Sequence, residues 1–219
     1  MEMSELAERI RELFFTFQFR PRDGKTVYVT DLTGCLRRSF YEIYFRANPP
    51  PTGPMVAGRL LHAVLKPVLA RGEPFASDVE FEVEGGCDLG NGWSLKGRAD
   101  VVSAEAVYEF KFTRGLGFNR AEPAYVAQVS AYCFLLGKTK GYLVLVDRDS
   151  FDVRVFECEP DEDLWGNMLQ EAKVLIECVG RAEPPTLNSP RMGFECKHCV
   201  WRIVCDLVKS EGEHGQPVQ

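Results

Sequence analysis

The sequence has no long hydrophobic run. Its longest apolar stretches, such as YLVLV at residues 142–146, are far too short to span a bilayer. It opens on MEMSELAERIRELFF, an acidic, amphipathic stretch unlike the basic region and apolar core of a secretory leader. Positive charge is also in short supply: the net charge is −6, which argues against a broad basic surface for nonspecific nucleic-acid binding. A confined basic groove remains open, with Arg37, Arg38, Arg59, Arg98, Arg114 and Arg120 as candidates. There is no internal repeat and no low-complexity tract. These absences lead us to expect a soluble, cytoplasmic chain with no membrane partner. At 219 residues, with 45% apolar and 26% charged residues, the composition is that of a globular protein with one substantial core and room for a small appendage.

Cysteine, by contrast, is abundant: residues 35, 87, 133, 158, 178, 196, 199 and 205. Without a leader, metal binding is the better expectation than disulfides. Cys196, Cys199 and Cys205 fall within ten residues, and a structural metal site wants four ligands. Cys35 is the candidate for the fourth and His198 its competitor. Zinc and an iron–sulfur cluster both accept four cysteines, and spacing does not separate them. Cys87, Cys133, Cys158 and Cys178 are expected to be small buried residues.

Periodicity predicts a helix over 4–17, a short extended piece at 26–30, a helix capped by Thr30 and running to 45, and a proline-rich loop at 46–54. A helix over about 55–70 follows, interrupted by Pro67. Residues 78–84 alternate as a strand and CDLGNGW reads as a turn. Strands over 93–103 and 106–113, a helix over about 121–137, a hairpin of 141–148 with 151–158 and a helix over 161–180 come next. From Pro184 the chain reads as a loop with a frayed tail. The order implies an α/β or α+β fold with a mixed central sheet. It divides into an N-terminal helical segment (1–54), a core (55–183) and a C-terminal cysteine segment (184–219).

The strands 93–103 and 106–113 carry the chemistry. A two-residue turn at Ala104–Glu105 sets Asp100 opposite Glu109 and Arg98 opposite Lys111, all four on one face, with Ala99, Val101, Tyr108, Phe110 and Phe112 on the other. Two facing carboxylates repel unless a cation lies between them. Mg²⁺ or Mn²⁺ suits such a site, and an adjacent lysine holds a phosphate or orients a nucleophile. The carboxylate–x–Lys pattern alone is weak, since it also occurs at Asp23–Lys25, Glu171–Lys173 and Glu195–Lys197. Asp100 in register distinguishes the copy at Glu109–Lys111. His62 lies on a preceding helix, and Gln128 and Tyr132 share one face of a following one, where an amide and a ring suit a nucleic-acid backbone or base.

The ordered set of Cys35, Gly58-x3-His62, GRAD with Asp100, YEFKF with Glu109 and Lys111, QVSAY with Gln128 and Tyr132, and Cys196, Cys199 and Cys205 resembles the CRISPR-associated Cas-four nucleases. These are RecB-like PD-(D/E)xK nucleases with a C-terminal iron–sulfur module, and the resemblance spans residues 28–205. It implies a mixed sheet flanked by helices, with a four-cysteine module joining the N- and C-terminal segments. It implies that His62, Asp100, Glu109 and the Phe110 carbonyl bind Mn²⁺ or Mg²⁺, that Lys111 is the catalytic lysine, and that Gln128 and Tyr132 lie near the substrate. Cys35, Cys196, Cys199 and Cys205 would hold a 4Fe–4S or 2Fe–2S cluster. The implied activity is a DNA exonuclease, chiefly on single strands from 5′ to 3′, with endonuclease activity in some members. The implied role is trimming ends for CRISPR spacer acquisition beside the adaptation integrase. Ala99 and Leu36 stand where the family often has proline. A catalytically weak adaptor that grips DNA or a partner is the competing reading, and an electron carrier a third.

Overall fold

The fold comes from a computed structural model, which describes residues 3–16, 22–47, 51–72, 75, 77–116, 121–186 and 195–213. Helix α1 (Met3–Thr16) is exposed from Met3 to Phe14. Strand β1 (Thr26–Tyr28) runs into α2 (Val29–Thr33), which begins at Tyr28 rather than at a Thr30 cap. The cap is inverted from the expectation: the Asp31 carboxylate reaches back and accepts the Tyr28 N–H at 2.7 Å. Gly34 and Cys35 break the helix before α3 (Leu36–Tyr44). Helix α4 (Gly53–Leu69) contains Pro67.

Strand β2 (Val79–Gly90) is longer than the alternating stretch that signals it. CDLG belongs to the strand, and the turn is Asn91–Gly92, with φ of +54° and +77°, the pair of left-handed residues that a tight hairpin favours. Strands β3 (Trp93–Ser103) and β4 (Ala106–Thr113) have the expected bounds. Helix α5 (Pro123–Leu136), β5 (Lys140–Asp147), β6 (Val153–Cys158) and α6 (Glu162–Arg181) follow. The C-terminal segment is more regular than expected: a 3-10 turn (Glu195–His198) leads into α7 (Arg202–Glu213).

The six strands form one mixed sheet. β2 pairs antiparallel with β3 along most of its length. The other edge of β3 is shared: β1 takes Ser94–Lys96 in parallel, and β4 takes only Val101 and Val102. Between those two ladders the sheet forks. β4 continues in full parallel register with β5, which pairs antiparallel with β6.

Helix α5 is apolar all round because it is enclosed between the sheet and α6. Glycines let it lie close. A Cβ on Gly97 would stand 2.5 Å from Tyr132 Cε1, and one on Gly85 would stand 2.8 Å from Leu136 Cδ2. The main core lies on this face, around Val27, Leu95, Val107, Leu143 and Leu175. A second core on the opposite face packs Leu65 of α4 against Val101, Phe110, Val144 and Val146. Ala99 belongs to the first core and Val101 to the second, although two residues apart on a strand normally share a face. The pairing of β2 with β3 lapses between them at Glu82, whose φ is +55°. That kink stands beside Asp100.

Candidate active site

Asp100 lies at the fork. The observed pairs Val101↔Tyr108 and Val102↔Val107 are those of the Ala104–Glu105 turn. Beyond them the strands part, and the Asp100 side chain replaces the next ladder bond: its Oδ2 accepts the Phe110 N–H at 2.8 Å. Oδ1 lies 3.1 Å from His62 Nδ1, which brings α4 to the same point. The His62 ring also packs edge-on against Phe112, with centroids 5.3 Å apart.

Glu109 is 3% exposed. Its Oε1 accepts from Lys111 Nζ at 2.7 Å and from Gln128 Nε2 at 2.9 Å. Its Oε2 is buried without a hydrogen-bond partner among the described residues. Burial raises the Glu109 carboxyl to about 7; the Lys111 ammonium opposes that rise and the Asp100 charge adds to it. Lys111 keeps its proton: burial works against its charge, but the Glu109 carboxylate outweighs this and raises it.

Helix α5 supports this pair. Gln128 Nε2 also donates to the Tyr132 hydroxyl at 2.8 Å. Gln128 and Tyr132 are each 4% exposed. The ring of Tyr132 fills the space over Gly97 and is not open for a base to stack on. Burial, then the Glu109 charge, raise its hydroxyl, so it stays neutral. Sequence reasoning passed over Tyr125, whose ring centroid is 5.2 Å from Lys111 Nζ. The signal was present: residues 125, 128 and 132 recur at helical spacing on one face.

The expected arginine surface is dispersed. Arg37 is buried at 6% exposure and is not a surface contact. Arg38 pairs with Glu42 at 3.0 Å, and Arg114 with Asp149 at 3.3 Å. Arg98 pairs with Glu82 at 3.5 Å and does not join Lys111. Arg120 lies outside the described residues.

Among the described residues, no three metal-ligating side chains already surround a common point. The donor set nevertheless fits a hard cation. Two carboxylates of different strands converge with an imidazole, and one buried carboxylate oxygen lacks a donor. Mg²⁺ and Mn²⁺ bind through one or two carboxylates and complete their shells with water and phosphate oxygens.

The C-terminal cysteine segment borders the main core, with Trp201 and Cys205 packed against it. The C-terminal segment returns to the start of α3, where Glu195 Oε1 accepts the Cys35 N–H at 3.0 Å. Trp201 stacks on Tyr41 and Phe45, with centroids 5.6 and 5.5 Å away. Burial raises the Cys199 thiol, while the Trp201 backbone hydrogen bond and the Arg38 charge oppose that rise. All four candidate ligands are free thiols with some exposure. That donor set suits a soft metal centre.

The forked sheet, with two carboxylates and a lysine at its opening, defines a class of phosphodiesterase, and comparison agrees. The PD-(D/E)XK nuclease superfamily matches residues 20–206, and the chain belongs to that superfamily. It is therefore a nuclease, a hydrolytic enzyme. More particularly, it is 31% identical over 197 residues to the CRISPR-associated exonuclease Cas4 of Saccharolobus solfataricus, covering 84% of this chain and 89% of the relative. The crystal structure of SSO0001 shares 26% identity at a TM-score of 0.65, covering 94% of this chain and 96% of that one. The alkaline exonuclease LHK-Exo of Laribacter hongkongensis shares the fold at a TM-score of 0.58 and 14% identity, covering 78% of this chain and 93% of its own. No helix among the described residues is long and apolar enough to cross a membrane.

Proposed function

We propose that this nuclease is a Mn²⁺- or Mg²⁺-dependent exonuclease that degrades single-stranded DNA from 5′ to 3′ and trims DNA ends for CRISPR spacer acquisition, beside the adaptation integrase. The observation that carries the catalytic part is the buried, unpartnered Oε2 of Glu109 beside Asp100 and Lys111 at the fork. His62, Asp100, Glu109 and the Phe110 carbonyl would hold the cation. When bound, the cation supplies positive charge to the scissile phosphate and lowers the pKa of water at the site.

The chain's own residues do the rest. Gln128 and Lys111 hold Oε1 of Glu109, and Oε2 is left buried without a donor among the described residues. The Lys111 ammonium neutralises charge on the phosphoryl oxygens as water attacks phosphorus and the ester P–O bond breaks. Tyr125 holds that ammonium in place through its ring face. Tyr132 supports Gln128 from behind. Cys35, Cys196, Cys199 and Cys205 bind an iron–sulfur cluster, 4Fe–4S or 2Fe–2S, which fastens the C-terminal segment to α3.

The test is Mn²⁺-dependent digestion of single-stranded DNA labelled at either end, with protein purified without oxygen. Lys111→Ala should lose digestion while keeping its fold and its cluster absorbance. Early release of a label carried at the 5′ end supports the polarity. Equal digestion by wild type and variant would place the chemistry elsewhere and favour the adaptor reading.

A further inference from the structure

One flank of helix α4 carries more than His62. At about 100° per residue, Arg59, His62 and Lys66 fall within an arc of about 60°. Two of the three are fixed by what they touch. His62 Nδ1 is 3.1 Å from Asp100, and Lys66 Nζ sits 5.8 Å from the ring centroid of Phe81 on β2. Phe81 is the partner of Val101, so the step from Lys66 to His62 follows β3 backwards from Val101 to Asp100. Arg59 stands about one turn before His62 on the same flank of α4.

The part of β3 that precedes Asp100 carries positive charge on the face away from α5. Gly97 turns toward Tyr132 of α5, so Lys96 and Arg98, which flank it, point the other way. Both are exposed, and Lys96 is the register partner of Tyr28, itself 36% exposed. The Arg98 charge is shared with Glu82. Arg59 is half-buried, and its Nη1 is sealed from solvent with no hydrogen-bond acceptor among the described residues. A guanidinium N–H removed from water and left unpaired carries a full desolvation penalty. It is a donor set in place for an acceptor that the chain does not supply.

We propose that Arg59 anchors a backbone phosphate of the DNA strand next to the one being hydrolysed, on the β1 side of the fork. The assignment rests on the nuclease reading above. A guanidinium fork suits a phosphate because it donates two parallel hydrogen bonds to it. Placed one helical turn from His62, it fixes the register of the strand against the metal site and carries no sequence preference.

The test uses the full chain with Mn²⁺ and an end-labelled single-stranded oligonucleotide, comparing wild type, Arg59→Gln and Arg59→Lys. The glutamine variant should raise KM about tenfold with kcat unchanged. Its log–log salt dependence of binding should flatten by about 0.7, the loss of one phosphate contact on a single strand. The lysine variant should keep the salt slope and recover part of the affinity. Thermal unfolding midpoints of both variants should equal or exceed that of wild type, because an unpaired buried donor is removed or freed. A glutamine variant with wild-type KM and slope overturns the assignment, as does one that loses kcat at unchanged KM. A wild-type chain that neither binds nor digests the oligonucleotide overturns the nuclease reading and this assignment together.

Discussion

Glu109 has one oxygen doubly held and the other unpartnered, and the consequence can be measured. Gln128 is the only uncharged side chain donating to it among the described residues. Gln128→Leu should cut Mn²⁺ affinity and kcat/KM by about 10- to 100-fold, the usual cost of losing a group that orients a metal ligand. Isothermal titration with Mn²⁺ beside a digestion assay checks both. The pH behaviour follows from burial. Between the ordinary carboxyl value of 4.5 and about 7, the folded chain holds the Glu109 proton and the unfolded chain does not. The metal-free protein therefore loses stability as pH rises through that window. Mn²⁺ competes for the same site, so its affinity should climb with pH up to about 7 and then level off. Calorimetry between about pH 5.5 and 8 tests this, and Glu109→Gln should remove the trend. Asp100, Glu109 and Lys111 were legible because a tight turn fixes strand register. The direction faced by Gln128 and Tyr132 was not: α5 is apolar on every side, so its sequence carries no phase from which to tell inside from outside. The same blindness made Arg37, a buried residue, look like a surface cation.

Elements were readable where side chains alternate and misread where glycine serves packing. Gly85, Gly86 and Gly90 look like punctuation, yet all three lie within β2. Gly85 is needed because Leu135 and Leu136 of α5 press on the strand. Gly97, in GRAD, has the same role beneath Tyr132. Gly97→Ala should destabilise the fold by about 1–3 kcal/mol through overpacking. Because Tyr132 braces Gln128, the variant should lose Mn²⁺ affinity as well. A chemical-denaturation midpoint beside a Mn²⁺ titration measures both. The α2 start was misplaced for a related reason: an acidic side chain reaching back from inside the helix caps it as well as a threonine in front. The C-terminal α7 was hidden because Cys205 reads as a ligand spaced from Cys196 and Cys199 rather than as part of the helical period of Ile203, Val204 and Leu207.

For the whole molecule, the sheet and its two cores are one body whose ends are joined. The N-terminal segment supplies β1 to the sheet and α3 to the main core, and the C-terminal segment covers α3 through Trp201. Trp201→Ala should lower stability by about 2 kcal/mol, having lost two stacked aromatic partners. It should leave kcat of Mn²⁺-dependent digestion near wild type, since its stacking partners, Tyr41 and Phe45, lie outside the fork. Denaturant unfolding and the digestion assay separate the two effects.

The bond from Cys35 to Glu195 spans 160 residues of chain. A ribosome adding about 5–20 residues per second leaves roughly 8 to 32 s between making one partner and making the other. Through that interval the aromatic face of α3 emerges bare, and the four thiols are not yet together. Any cluster they come to share is installed only after Cys205 has been made. A transcript cut short before residue 195 yields a nascent protein with its catalytic fork already encoded and its clasp missing.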